Sequence, residues 1–211
     1  EDIKVVILTG AGKIFMAGNE LSEFDEFMEP SKCTVHYDRI RNAYLAVKNC
    51  RYPVIGAING SAAGAGCAFA GCCDVLIAAQ GAKFALSEIK VGIIGADGYA
   101  SLMVPEKVLR YMAFSGNPLL AEQIAQWGGI WKVVPREQVL EEAQKLAAEF
   151  AQNARRALIL WKQCLNENYE HELPKKFNNN LQATIAYQPY HDFKEASTAF
   201  IEKRVPEYDE Q

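Results

Sequence analysis

The chemistry that this sequence could perform is clearest in residues 53–74, PVIGAINGSAAGAGCAFAGCCD. An apolar run, Val54–Ile58, is followed by Asn59-Gly60 and then by the small residues 61–66. So many residues without bulk are typical of a tight turn from a buried strand into a closely packed helix. Such a turn lets a ligand approach backbone N–H groups, and the N-terminus of the following helix carries a partial positive charge. The segment therefore predicts either an anion or oxyanion site or a helix that only packs closely on a sheet.

Two acidic residues lie further along the chain. Glu88 follows the short apolar strand predicted over residues 83–86, with Ser87 between them, and Asp97 lies in the glycine-rich segment 89–101. From its position alone, Glu88 fits a solvated charge at a strand end. Asp97 fits the first residue of an Asp-Gly turn that bonds its own backbone. Tyr99 could donate a hydrogen bond to the site or fill the core.

Strands and helices alternate in the first half of the chain. Strands are predicted over residues 3–9, 54–58, 75–79 and 83–86, and a helix over 33–48. Glycine turns follow the strand ends, so we expect an α/β core whose site lies where strand-end loops converge. Further helices are predicted over residues 119–127, 136–151, 154–169, 173–187 and 194–203, with a short strand at 131–134. We therefore expect a core of residues 1–152 and a helical region, 153–211, that packs on this core or on a neighbouring subunit.

Composition narrows the class of protein. The chain has 211 residues, of which 50% are apolar and 23% charged, and this fits one globular domain with a substantial core. Its net charge of −4 gives no reason to expect nucleic acid or an anionic membrane as a partner. No apolar run is long enough to span a membrane, and no signal peptide opens the chain, so a cytoplasmic location is predicted. A core strand almost at Glu1 predicts either that an N-terminal piece is missing or that another segment holds the strand in place. A targeting segment upstream would imply an organellar matrix instead.

Cysteine and histidine spacing gives no metal site. The six cysteines contain no CxxC pair and are expected to be reduced core residues. The three histidines form no metal pair. The tryptophans are expected in the core. The cysteines are Cys33, Cys50, Cys67, Cys72, Cys73 and Cys164. The histidines are His36, His171 and His191, and the tryptophans are Trp127, Trp131 and Trp161.

Four motifs together resemble the crotonase superfamily, which contains the enoyl-CoA hydratases and isomerases. In chain order they read FMAGNEL, PVIGAINGSAAGAGCAFAGCCDV, AKFALSEIKVGI and AFIEKRVPEY, and they span nearly the whole chain. The resemblance implies a spiral of repeated ββα units with a C-terminal helical trimerisation tail, assembled as a homotrimer or hexamer. It implies an acyl-CoA thioester as substrate and no further cofactor. The family's N-terminal strand pair and first helix would precede Glu1 and are expected to be missing.

The resemblance also assigns roles to backbone groups. The N–H groups of Asn19 and Ala65 match the two donors that hold the thioester oxygen as it becomes an enolate. Ala65 stands where glycine is usual, but it still supplies an N–H. Met16, Ala17 and Leu21 fall in the loop that contacts CoA in relatives.

The carboxylates then distinguish between reactions. The first glutamate of a hydratase would fall on Ala68, which cannot transfer a proton, whereas the second falls on Glu88. One glutamate beside an oxyanion hole suits an isomerase, which removes a proton from C2 of a 3-enoyl-CoA and returns it at C4. We therefore expect an enoyl-CoA isomerase with Glu88 as the base.

Three alternatives remain open. An enoyl-CoA hydratase or a hydroxycinnamoyl-CoA hydratase-lyase is the first, although Phe24 stands where the latter enzymes place a tyrosine. A dehalogenase-like or C–C hydrolase reaction that uses Asp97 is the second. The third is a crotonase-like binding protein without catalytic activity, suggested by Ala68 and by the absent N-terminal unit.

Overall fold

The computed structural model describes residues 3–20, 29–169 and 173–208. The strands are β1 (Val6–Thr9), β2 (Val54–Ile58), β3 (Ala62–Ala63), β4 (Val75–Ala79), β5 (Lys83–Ala85), β6 (Leu119–Leu120) and β7 (Lys132–Val134). The α-helices are α1 (Pro30–Lys48), α2 (Ala65–Cys72), α3 (Asp97–Ala100), α4 (Glu106–Ser115), α5 (Ala121–Gln126), α6 (Val139–Ala151), α7 (Arg155–Tyr169), α8 (Leu173–Tyr187) and α9 (His191–Glu202). Ser87–Val91 and Arg136–Gln138 form 3₁₀ helices. The predicted α/β class is confirmed.

Two small sheets hold the core together. The first has the order β1-β2-β4-β7 with all neighbours parallel, so that Val6 lies opposite Val54 and Ile55 opposite Val75. All five residues of β2 are buried, as expected for an apolar central strand of a parallel sheet. In the second sheet β5 pairs in parallel with β3 and antiparallel with β6. Helix α6 packs on β1, β2 and β4, whereas α1 and α2 pack on each other.

Several element boundaries differ from the predicted ones. The helix predicted over 119–127 begins only at Ala121, because Leu119 and Leu120 pair with β5 and extend the second sheet. The strand predicted over 83–86 ends at Ala85. Helix α4 was not predicted, although Pro105 precedes it and Gly116 caps it with φ 61°.

The tryptophans are exposed, and their predicted core placement is wrong. Trp127 is 42% exposed, Trp131 72% and Trp161 68%. They belong to elements whose opposite sides cover the core, as with α7, where Lys162 is buried next to Trp161. Among the cysteines, Cys33, Cys67, Cys72 and Cys73 are buried. In the part of the chain that the structure describes, no helix combines the length and the apolar character that a bilayer span requires.

A buried ion pair ties α7 to the start of β2. Lys162 Nζ donates to Asp74 Oδ2 at 2.7 Å and to Tyr52 O at 3.0 Å. The same Asp74 oxygen accepts the Val54 N–H at 2.7 Å. Asn166, one turn further along α7, donates to Lys48 O at 3.1 Å. This face of the helical tail therefore packs on the core of its own chain.

Replacing Lys162 by Met should lower the free energy of unfolding by about 1–2 kcal/mol, because the Asp74 carboxylate loses its cationic partner and keeps the Val54 N–H. This decrease should be smaller than the decrease for a fully buried ion pair, since the Asp74 side chain is 24% exposed. Urea unfolding measures the difference. Gln163→Met, at the exposed neighbouring position, is the control and should change the free energy of unfolding by under about 0.5 kcal/mol. Equal effects of the two substitutions would contradict the prediction.

Candidate active site

The turn before α2 is tied to the segment that leads to Asn19. Ala63 N–H donates to Met16 O at 3.0 Å, and Met16 forms a bridge with β3. A Cβ on Gly66 would lie 2.3 Å from Met16 O, so only glycine allows the two segments to approach this closely. The two sequence motifs that contain Asn19 and Ala65 are thus brought together by backbone contacts.

Gly18 places Asn19 beside the start of α2. Its φ is +108°, and a Cβ there would lie 3.2 Å from Ala63 O and 3.8 Å from Ala65 N. Ala65 is the first residue of α2, and Gly64 at the N-cap makes no side-chain cap. Across the described residues, the N–H groups of Asn19 and Ala65 donate to no protein acceptor. Both groups remain able to donate to a ligand, and the α2 dipole favours negative charge there.

Glu88 faces this turn from the 3₁₀ helix that follows β5. A Cβ on Gly64 would lie 3.2 Å from Glu88 Oε1, so the carboxylate rests against the turn. Ile93 N–H donates to Glu88 O at 3.0 Å, and Gly92 ends the 3₁₀ helix with φ 74°. Within the described residues Glu88 Oε2 is buried and has no hydrogen-bond partner. Burial of an unpartnered carboxylate oxygen is costly, and this is the usual sign of a functional group.

Burial raises the pKa of the Glu88 carboxyl from 4.5 to about 8. A hydrogen bond from its own backbone lowers the pKa, and the negative charge of Asp97 raises it further. A carboxyl whose pKa lies near neutrality can both accept and return a proton. The position of Glu88 therefore fits general acid–base chemistry.

The pKa of Glu88 predicts how both the activity and the stability of the protein depend on pH. If ionised Glu88 is the base, kcat/KM should rise about tenfold per pH unit below pH 8 and level off above it. The free energy of unfolding should change in the opposite direction: the folded chain holds this proton more tightly than the unfolded chain, so stability falls as pH rises from 4.5 toward 8. A pH–rate profile of the wild type measures the first effect. Activity that stays constant from about pH 6 to about pH 8 would contradict the assignment.

Glu88 lies where two cavities meet. One cavity, of about 390 Å³, also contains Asn19 and Ala65, and the other, of about 430 Å³, contains Asp97. Ile93 and Gly95 line both cavities and form a shared wall. The remaining lining of the larger cavity is mainly apolar and includes Leu86, Ile89, Ile94, Leu109, Ala113 and Phe114. A polar reacting centre and an apolar substrate portion could thus be held on the two sides of one carboxylate.

The other predicted residues fall in several places. Ala17 is exposed and lines the cavity that contains Asn19, whereas Met16 is half-buried in the bridge to β3. Leu21 lies outside the described residues, as does Phe24. Asp97 begins α3, immediately after Ala96 with φ 63°.

Two further residues belong to the core. Ala68 is fully buried in α2. Tyr99 is 3% exposed, and its ring lies 5.1 Å from that of Tyr44, so it packs in the core. Where the structure describes side chains, His, Cys, Asp and Glu form no group of three that could hold a metal ion.

Two residues of α1 reach the site without having been predicted there. His36 is buried, and its Nε2 lies 3.4 Å from Asn19 Nδ2. Tyr37 lines the same cavity as Asn19 and Glu88. Both are buried on one face of α1, but apolar spacing alone cannot distinguish a residue that lines a cavity from one that fills the core.

Comparison of this sequence with models of protein families agrees with the fold and with the arrangement of Asn19, Ala65 and Glu88. A sequence model of the family described as "Enoyl-CoA hydratase/isomerase" matches residues 1–211. The chain therefore belongs to the enoyl-CoA hydratase/isomerase family, within the crotonase superfamily. It is an enzyme of that family, and this sets aside the alternative of a binding protein without catalytic activity.

Individual relatives include both hydratases and isomerases. The chain is 33% identical to the "Probable enoyl-CoA hydratase, mitochondrial" of Dictyostelium discoideum, over 98% of this chain and 74% of that protein. It is also 33% identical to the "1,2-epoxyphenylacetyl-CoA isomerase" of Escherichia coli, over 99% of this chain and 82% of that protein. An enoyl-CoA hydratase structure from Mycobacterium avium subsp. paratuberculosis superimposes with a TM-score of 0.84 at 25% identity, covering 99% of this chain and 81% of that one. The crotonase fold is confirmed, and the likeness does not favour one reaction.

Proposed function

We propose that this enzyme is an enoyl-CoA isomerase with Glu88 as its single catalytic base. The observation that carries the proposal is the Glu88 carboxyl, which has a buried oxygen without a partner among the described residues and a pKa of about 8. Ala68, which stands where a hydratase would have its first glutamate, cannot transfer a proton. One carboxylate is sufficient to move a double bond, because the same group takes the proton and returns it.

The reaction would proceed through an enolate. The Glu88 carboxylate takes a proton from C2 of a 3-enoyl-CoA, and the electron pair of that C–H bond forms a C1–C2 double bond while charge moves onto the thioester oxygen. The N–H groups of Asn19 and Ala65 donate to this oxygen, each contributing about 3 kcal/mol. Protonated Glu88 then delivers its proton to C4 as the electrons return. A C2–C3 double bond forms, the C3–C4 double bond is lost, and Glu88 is ionised again.

The remainder of the substrate would lie along the FMAGNEL segment. Met16, Ala17 and Leu21 are proposed to contact CoA, a role supported for Ala17 by its exposed place in the cavity with Asn19. The acyl group would enter the apolar cavity on the other side of Glu88. In this proposal the CoA thioester is the substrate, and no further cofactor takes part because backbone dipoles stabilise the enolate.

Paired assays of 3-enoyl-CoA and 2-enoyl-CoA substrates test the proposed reaction. The expected result is conversion of the 3-enoyl to the 2-enoyl isomer at a rate well above addition of water to the 2-enoyl isomer. In D₂O, part of the hydrogen at C4 of the product should be protium that came from C2 of the substrate, because Glu88 carries the proton between these two carbons. Efficient hydration of crotonyl-CoA without isomerisation would overturn the proposal.

Hydration is the second candidate, and one observation favours it. Asp97 and Glu88 line the same cavity, so two carboxylates could serve as base and acid even though Ala68 is not acidic. The same placement would suit a hydratase-lyase, a dehalogenase-like reaction or a C–C hydrolase that depends on Asp97. Retention of activity by Asp97→Asn would exclude these candidates.

A trimer or hexamer is the predicted assembly. On α7, Leu158 and Ile159 are half-buried, whereas Trp161 is 68% and Leu165 47% exposed, one helical turn apart. An exposed apolar pair of this size usually marks an interface. Light scattering should give a trimeric or larger mass at micromolar concentration, and Trp161→Glu should reduce it. Gln163→Glu, with the same added charge on the other side of α7, is the control, and a monomeric wild type would contradict the prediction.

The names of relatives bear on location. Some relatives, such as the D. discoideum protein, are named mitochondrial, whereas others come from E. coli, so both the cytoplasm and an organellar matrix are proposed locations for this enzyme. Imaging of the full-length gene product with a C-terminal fluorescent tag distinguishes the two compartments.

A further inference from the structure

A buried hydroxyl pair lies against the wall that the two cavities share, and one of its members, Tyr37, also lines the cavity that contains Asn19. Tyr37, on α1, is 3% exposed, and Thr184, on α8, is 0% exposed. Their hydroxyl oxygens are 2.8 Å apart. The pair joins the first helix of the described core to a helix of the C-terminal tail, at a point between the two carboxylates of the site.

Both hydroxyls bond the backbone of the same residue, Ile94. Ile94 N–H donates to Thr184 Oγ1 at 3.3 Å, while Ile94 O accepts from the Tyr37 hydroxyl and from Thr184 Oγ1 at 3.2 Å. These contacts satisfy the backbone donor and acceptor of one residue together. Ile94 therefore has its backbone fixed from two helices, and neither helix carries a carboxylate of the site.

The fixed peptide sits at the centre of the active-site wall. Ile93 and Gly95, on either side of Ile94, line both cavities. Residues 92–96 connect the 3₁₀ helix of Glu88 to Asp97 at the start of α3. A Cβ on Gly95 would lie 3.6 Å from the Tyr37 hydroxyl, so this hydroxyl is packed directly behind the wall. A shift of Ile94 would therefore be transmitted to both carboxylates.

We propose that Thr184, together with Tyr37, is a positioning residue that fixes the Ile94 peptide and thereby the relative placement of Glu88 and Asp97. The inference rests on the proposed catalytic role of Glu88. Neither hydroxyl exchanges a proton with substrate in this role. In this proposal the C-terminal tail takes part in the geometry of the active site of its own chain.

Thr184→Val is the primary test, because it keeps the shape of the side chain and removes the hydroxyl. We expect kcat to fall about tenfold with KM changed less than about twofold, because misplacement of reacting groups lowers turnover more than binding. The midpoint of the kcat/KM pH profile should also shift, since the distance between Glu88 and Asp97 influences the pKa of Glu88. Thr184→Ser keeps the hydroxyl and should restore kcat to within about twofold of the wild type.

Two further variants separate positioning from stability. Thr198→Val makes the same change on α9, at a half-buried position outside this hydrogen-bond set, and should leave kcat and the pH midpoint unchanged. Tyr37→Phe should match Thr184→Val, and the double variant should be no worse than either one, because both hydroxyls act through one peptide.

The measurements use whichever of 3-enoyl-CoA or 2-enoyl-CoA the wild type converts, so failure of the isomerase assignment does not affect them. Hydrogen exchange of residues 92–96 is measured alongside and should be faster in Thr184→Val. Unchanged kcat, pH midpoint and exchange in Thr184→Val would overturn the proposal. A lower unfolding midpoint with unchanged kcat would also overturn it, because Thr184 would then serve stability alone.

Discussion

Glu88→Gln is expected to lower turnover by about two to four orders of magnitude while acyl-CoA affinity changes little. Glutamine keeps the shape of the side chain and cannot take a proton. Binding should survive because the donors at Asn19 and Ala65 are backbone groups, which the substitution does not remove. Steady-state kinetics and isothermal titration with a non-reactive acyl-CoA measure the two effects.

Asp97→Asn is the matched comparison, since it makes the same change of chemistry at the other carboxylate of the larger cavity. It should reduce turnover about tenfold or less, through altered polarity and the loss of a charge that raises the pKa of Glu88. The pH midpoint should accordingly move down. The reverse ranking of the two variants would assign the chemistry to Asp97 and favour the dehalogenase-like or C–C hydrolase branches. Loss of binding in Glu88→Gln without loss of turnover at saturation would reject both assignments.

The second large effect is expected at the turn that faces Glu88. Gly64→Ala should reduce kcat by about tenfold to a hundredfold, because the Glu88 carboxylate must give way by a few tenths of an ångström and alanine is strained at this backbone conformation. Gly64 has φ 53° and ψ −121°, and an added Cβ would lie 3.2 Å from Glu88 Oε1 and 3.4 Å from its Cδ. The carboxylate, or the neighbouring Ala65 N–H, would have to move. Steady-state kinetics of the purified variant measure the loss.

Gly81→Ala is the control for adding a Cβ at another glycine with a positive φ. Gly81 also has a positive φ, +70°, but a Cβ there would meet nothing within 4 Å. The control should therefore lose about 1 kcal/mol of stability and keep its activity. A similar loss of kcat in both variants would mean that strain alone explains the effect. Activity of Gly64→Ala within about threefold of the wild type would show that Glu88 can move without consequence.

Much of the site was predictable because its parts are local in sequence. The apolar run Val54–Ile58 predicted the central strand, and the small residues after it predicted the tight turn before the helix that begins at Ala65. The roles proposed for the Ala65 N–H, Glu88 and Asp97 came from the family resemblance. That Asn19 lies beside this turn came from the family resemblance, and backbone contacts of Met16 and Gly66 explain how it is brought there.

What the sequence could not give depends on contacts between distant segments. Thr184 and Ile94 are 90 positions apart, and no local pattern indicates that they bond. His36 lies beside Asn19 only because α1 packs there. Leu119 and Leu120 fit a helix locally but extend a sheet, since β5 offers them a pairing edge. Trp131 is 72% exposed although its size favours burial, because composition does not determine which face of an element is covered.

Glu88 lies between two cavities with different kinds of lining. The cavity on one side contains the backbone N–H groups of Asn19 and Ala65, which only a substitution by proline would remove. The cavity on the other side is lined by side chains of α4, namely Leu109, Ala113 and Phe114, and substitutions there can enlarge or fill it without altering the turn at Ala65. Under the proposed function, acyl-group preference could therefore diverge among descendants of such a chain while the means of stabilising an enolate is inherited.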